Sequence, residues 1–325
     1  MRVERVVDAP IVDASSDPSI GTNIQGPSLI RVPEWIANPL GRYYLYFADH
    51  KGRHIRLAYA DALAGPWRIY VPGSLRLEAS HFLQEPPRAD PDVVAEIESR
   101  RRASGALPLQ HDLLTELTTP HIASPDVHVD VNKQRILMYY HGLEGLGQQA
   151  SRVALSNDGI NFKALPELLG KTYMRAFSWQ GMTYVLAMPG IFYRSQDGLS
   201  AFEQGPVLFN PEMRHCAVLR RGNVLSVFWT QVHEAPERIY LSTVDLVPDW
   251  HAWRESERVE VMRPERAWEG ADAPLEPSVR SVAYGHVNQL RDPAIYVEED
   301  AVYLAYAVAG EAGIGLARIW LPEGL

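Results

Sequence analysis

One strand pattern recurs five times along these 325 residues, and it constrains the fold more than any other feature. The unit has a polar, often proline-containing lead-in, a short apolar strand, a turn, an aromatic strand, a loop and a third strand. The first copy runs GPSLIRV, GRYYLYFADH, HIRLAYA and closes at GPWRIY. The second runs SPDVHVD, QRILMYYHG and SRVALSNDG, the third YMRAFSW, MTYVLAMPG and IFYRSQDG. The fourth is RHCAVLRRG, NVLSVFWTQ and RIYLSTVD, and the last is RDPAIYVEED, AVYLAYAVAG and IGLARIWL. A period of about 40–55 residues suits four-stranded propeller blades. The expected fold is all-β: a five-bladed β-propeller in one domain spanning 1–325. The last copy has three strands, so VERVVDA near the N-terminus is the expected fourth, closing the ring and removing exposed edges. A β-sandwich with a helical insert is the competing architecture, but a sandwich needs no repeated lead-in.

Between the first two copies, 83–118 breaks the period. Its middle, DPDVVAEIESRRRASG, has a helix start at Asp90-Pro91 and a stop at Gly105, which predicts one amphipathic helix on a long loop.

Bulk properties exclude several classes. The net charge of −9 gives no basic face for nucleic acid. The single cysteine, Cys216, allows no intramolecular disulfide. No long apolar run marks a signal peptide or a membrane span, so the expected setting is cytoplasmic, with no membrane partner. A P-loop, a dinucleotide glycine motif and a GxSxG elbow are all missing. The oligomeric state is not legible.

In a propeller, the lead-ins and the loops between second and third strands gather on one face around the axis. They nominate Asp49, His50 and His54 from the first blade, His121 and His141 from the second, and Arg175 from the third. His215 and Gln231 come from the fourth, and Arg291 and Asp292 from the fifth. The approach to the fifth blade adds Glu276 and Arg280. Gly26, Asp126, Arg175, His215 and Asp292 are expected at equivalent places around the axis. Asp126 and Asp292 precede apolar strands, where a carboxylate is costly unless paired or used. His121, Asp126, His128, His141 and His215 could ligate zinc, and Asp126 could serve calcium in the central channel. No HExxH or paired-ligand spacing supports the zinc site, so no cofactor is required, and a divalent ion in the channel is an option.

The repeat resembles the five-bladed glycoside hydrolases of family 43 and its relatives, including family 32. The most similar stretch is GPSLIRV…GRYYLYFADHKGRHIRLAYADALAGPW, with its Tyr-Tyr-Leu-Tyr strand and Gly-Pro-Trp close. The resemblance implies three carboxylates: a base Asp at the first lead-in, an Asp at the second that tunes the acid, and a Glu acid further on. By this pattern Asp126, in SPDV, matches the tuning Asp. Gly26 stands where the base belongs, and YMRAF offers Arg175 and no Glu. A relocated set is Asp292 as base, Glu276 as acid and Asp126 as tuner, with Arg175 and Arg291 holding an anion or lowering an Asp pKa. Such a pair needs carboxylates roughly 5–10 Å apart with separated pKa values. The expected function is therefore glycoside hydrolase-like action on a carbohydrate in the central pocket. The alternative is a non-catalytic propeller binding a carbohydrate or a small acid.

Overall fold

The computed structural model describes residues 1–322 and 324. Numbered in chain order, β1 (Arg2–Arg5) and β2 (Val12–Asp13) lead into four sheets of four strands. Blade 1 is β3 (Gln25–Arg31), β4 (Tyr43–Ala48), β5 (His54–Ala60) and β6 (Arg68–Arg76). Blade 2 is β7 (Ile122–Asp130), β8 (Arg135–Gly145), β9 (Gln148–Ser156) and β10 (Lys163–Ala164). Blade 3 is β11 (Arg175–Trp179), β12 (Met182–Ala187), β13 (Ile191–Ser195) and β14 (Glu203–Val207). Blade 4 is β15 (Met213–Arg221), β16 (Val224–Gln231), β17 (Ile239–Asp245) and β18 (Val259–Met262). Blade 5 is β19 (Arg291–Glu298), β20 (Ala301–Val308) and β21 (Gly313–Trp320), completed by β1 and β2. Arg2 pairs with Trp320 and Arg5 with Ala317, so the expected N-terminal strand closes the ring.

Alternation along each second strand divides its side chains between two neighbours. Every residue of β4 is buried. Tyr44 and Tyr46 pack with Ile122, Val127 and Tyr140 of blade 2. Tyr43, Leu45 and Phe47 pack with Tyr296, Ala305 and Leu316 of blade 5. Three similar clusters join blades 2 and 3, 3 and 4, and 4 and 5. The core is thus a ring of interfaces between blades, which explains strands apolar on both faces.

The ladders also fix the register of the lead-ins. In blade 1, Gln25 pairs with Ala48, and the next pair is Ser28 with Tyr46. The same skip separates Ala123–His141 from Asp126–Tyr139, Met213–Gln231 from Cys216–Trp229, and Arg291–Ala307 from Ala294–Ala305. In blade 3 the Met188 N–H donates to Thr172 O before Arg175 pairs with Leu186. Each inner strand therefore starts with a bulge, and the bulged residues are Gly26, Ser124, Tyr173, Arg214 and Asp292. Four of them have positive φ: Gly26 62°, Ser124 52°, Tyr173 59° and Asp292 46°. This corrects the expected equivalence. Asp126 and Arg175 match Ser28, two residues further in, and His215 matches Pro27.

The misplaced position has a repeating structural task. Ser28 Oγ accepts the Val127 N–H of the next blade at 2.9 Å. Asp126 Oδ2 accepts the Ala176 N–H of the next blade at 2.8 Å. Opposite them, Tyr46 and Tyr139 donate to the turn carbonyls of Gly159 and Gly198, each at 2.7 Å. Asp126→Ala would strand the buried Ala176 N–H, so urea unfolding should show a loss of about 1–3 kcal/mol. A loss below a few tenths would refute that task.

The insertion holds two helices. α1 (Pro91–Ala103) starts at an Asp90 cap, as expected, but buries none of its residues. It is an exposed helix rather than an amphipathic one, with Glu96–Arg100 and Glu98–Arg102 pairs along its surface. α2 (Leu113–Thr118) is a second helix beyond the one expected; Asp112 caps it and it buries Leu117. No described helix is long and apolar enough to cross a membrane.

Candidate functional site

The blade order brings His50, His141, Tyr173, Arg214 and His215 around one cavity of about 750 Å³, with Arg280 and Ser281 on its rim. That volume suits a small ligand. The insertion contributes Arg101 and Glu116 to the same cavity. It also reaches across the ring, where Gln110 Oε1 accepts the Tyr284 N–H. Glu116 accepts from Ser281 Oγ at 2.8 Å and lies 3.5 Å from Lys51 Nζ. Burial would raise the Glu116 carboxyl, but Lys51 and His50 outweigh it and bring it down to about 2.

Three aromatic rings stand in a row, each tilted by about 30° to the next. Tyr173 lies 4.6 Å from His141 and 4.7 Å from His215, ring centre to ring centre. Burial, then the neighbouring cations, hold His141 and His215 well below the ordinary histidine range, so both are neutral. The Asp292 N–H donates to His215 Nδ1 at 3.2 Å. His121 is fully buried, with Nδ1 2.7 Å from Thr119 O, and burial lowers it to about 3.

Beneath the rings lies a closed charge network. Arg291 donates to Glu311 Oε1 at 2.8 Å and sits 3.5 Å from Glu237. Asn23 Nδ2 and His50 Nδ1 complete the Glu311 shell at 2.7 and 3.3 Å. Burial opposes ionisation of Glu311, but His50 and Arg291 prevail and lower it to about 2. Asp292 is the one carboxylate among the five bulged residues. It is fully buried; Oδ1 lies 3.3 Å from His215 Nδ1, and Oδ2 has no hydrogen-bond partner among the described residues. Burial and the negative charge of Glu311 push it up to about 7, against Arg214, Arg291 and Arg175.

The other nominated residues lie elsewhere. Glu276 is exposed and does not line the cavity, because the approach to blade 5 carries it outward. Asp126 turns between blades 2 and 3 and contacts His128 Nε2 at 2.6 Å. Arg175 plugs the channel, bonded to the carbonyls of Ser124, Pro125 and Cys216. Asp49 Oδ1 caps its own turn by accepting the Lys51 N–H at 2.8 Å. His54 begins β5 away from the cavity, and Gln231 bonds Asn210 and Glu234. Among the described residues no group of three or more His, Cys, Asp or Glu is arranged to hold a metal ion.

Arg214, at the fourth lead-in beside His215, also lines the cavity, as do Tyr173, Lys171 and Glu116, which no lead-in or loop of the repeat marks. The bulge register would have found Tyr173. Nothing local in the sequence marks Glu116.

No family model matches the chain. "Uncharacterized protein R118" of Acanthamoeba polyphaga mimivirus is 32% identical over 323 residues, covering 91% of this chain and 83% of the viral protein. The chain belongs to the family of that viral protein. Among solved structures, the GH43_1 enzyme from Xanthomonas citri matches with a TM-score of 0.59 at 10% identity, over 98% of this chain and 92% of that one. An endo-1,4-β-xylanase from Bacteroides thetaiotaomicron matches with 0.57 at 12% identity, over 91% and 89%. The viral-protein family thus has the fold of the family-43 glycoside hydrolases.

Proposed function

We propose that this chain binds a small carbohydrate-like ligand in the cavity over its central channel, without three-carboxylate hydrolysis. One observation carries the reading: the bulged residues of blades 1, 2 and 3 are Gly26, Ser124 and Tyr173, none of them a carboxylate. A side chain at Gly26 is also excluded by space. Its Cβ would stand 2.9 Å from the Ser124 Cα, and φ is +62°. The polar cavity, walled by aromatic rings, is nevertheless retained.

One observation favours hydrolysis instead. Asp292 holds its proton up to about 7 while Glu311 and Glu116 are ionised from about 2 upward, the separation an acid–base pair needs. Glu311 is fully buried and already bonded, however, so it has no free edge for water.

A panel of aryl-glycosides, run alongside calorimetric sugar titrations, tests the proposal. Saturable sugar binding with no turnover above the blank is the expected result. Turnover that Asp292→Asn abolishes would overturn it in favour of the hydrolase.

A further inference from the structure

The cavity holds more positive charge than the fold itself uses. Lys171 Nζ meets no carboxylate among the described residues, and the Arg101 guanidinium bonds the Leu107 carbonyl. Arg280 bonds the carbonyls of Pro211 and Met213, with Glu212 no nearer than 4.0 Å. Arg214 bonds the carbonyls of Val279 and Ser281 and shares Glu237, at 3.5 Å, with Arg291. The anions nearby are already engaged: Glu116 with Lys51, Glu144 with Arg152, Glu311 with Arg291. Among these cavity arginines, the buried Nε of Arg214 has no partner among the described residues. A carbonyl partner satisfies a guanidinium hydrogen without neutralising its charge, and such a charge acts more strongly where it is buried, as in Arg214. This excess stands in a chain whose net charge is −9, so it is local rather than a reflection of composition.

We infer that the ligand of this cavity is an acid-bearing sugar, its carboxylate or phosphate seated among Arg214, Arg280 and Lys171. The inference rests on the carbohydrate-binding reading above. Arg214 and His215 line the floor of the cavity, Arg214 with its Nε unpartnered among the described residues, and Lys171 and Arg280 flank its mouth. The forked guanidinium suits a planar or tetrahedral oxyanion.

The test titrates the full chain calorimetrically with D-glucuronate, glucose 6-phosphate, D-glucose and D-xylose, at low and at raised salt. Lys171→Gln and Arg280→Gln are run in parallel. Both residues lie at the rim, and their removal breaks no ion pair shorter than 4.0 Å. At least one acidic sugar should bind tenfold or more tighter than glucose. Each variant should weaken that sugar about tenfold, as should raised salt, while leaving glucose unchanged. A preference for glucuronate identifies a carboxylate, and a preference for glucose 6-phosphate a phosphate; either supports the inference. Glucose or xylose binding as tightly as the acids, and indifferent to both variants, overturns the anion while the carbohydrate reading stands. No binding of any sugar overturns both.

Discussion

An Arg291→Met variant should lose about 3–5 kcal/mol of unfolding free energy, the range for leaving buried charge without its partner. Arg291 is 1% exposed and stands between Glu311, at 2.8 Å, and Glu237, at 3.5 Å. Both carboxylates are fully buried. Methionine fills a similar length but returns no charge. Glu311 would keep Asn23 and His50, while Glu237 would keep Arg214 alone among the described residues. Lysine at the same position would restore the charge but not the fork that also holds Gln289 Oε1, so Arg291→Lys should recover part of the loss. Urea unfolding measures both. A cost below about 1 kcal/mol for the methionine variant would mean that the network does not anchor blade 5.

Asp292→Asn should change how stability depends on pH. The carboxyl is raised to about 7 from an ordinary 3.8, chiefly by burial. Its folded form therefore binds a proton more tightly than the unfolded form does. That contribution to stability is complete below pH 3.8 and is lost as pH rises to about 7. At about 1.4 kcal/mol per pKa unit, the loss by pH 8 is roughly 4 kcal/mol. Asparagine keeps the shape and cannot ionise. The stability of the variant relative to wild type should therefore rise between pH 4 and 7 and level off by pH 8. Glu311 and Glu116, lowered to about 2, act in the opposite sense, adding stability above pH 4.5 that fades as pH falls. The buried neutral histidines likewise favour folding at higher pH. These terms are shared by both proteins and largely cancel in the difference. Parallel pH profiles for variant and wild type would show that Asp292 is not held protonated.

The architecture was legible because alternation and aromatic strands repeat. Five copies of one pattern predict five sheets, and VERVVDA falls where β1 pairs with β21. The loops between second and third strands also delivered His50 and His141 to the cavity. Register was harder to read. Proline in GP, SPD and RDP suggested aligning on the polar residue beside it, but the ladder counts from the bulge. A slip of two residues moved Asp126 from the channel to a cap between blades. Glu276 failed for another reason, since the path of a long irregular segment follows from packing that has no periodic signature. Glu116 sits on a helix of six residues whose place over the cavity depends on contacts with Lys51 and Ser281, distant in sequence.

A crystal soaked with a sugar tests the central claim most directly. The account predicts sugar density in the cavity over the channel, within hydrogen-bonding distance of Arg214 or His215 and under α2. A sugar bound only on an outer face of the blades, with the cavity holding nothing but water, would contradict it.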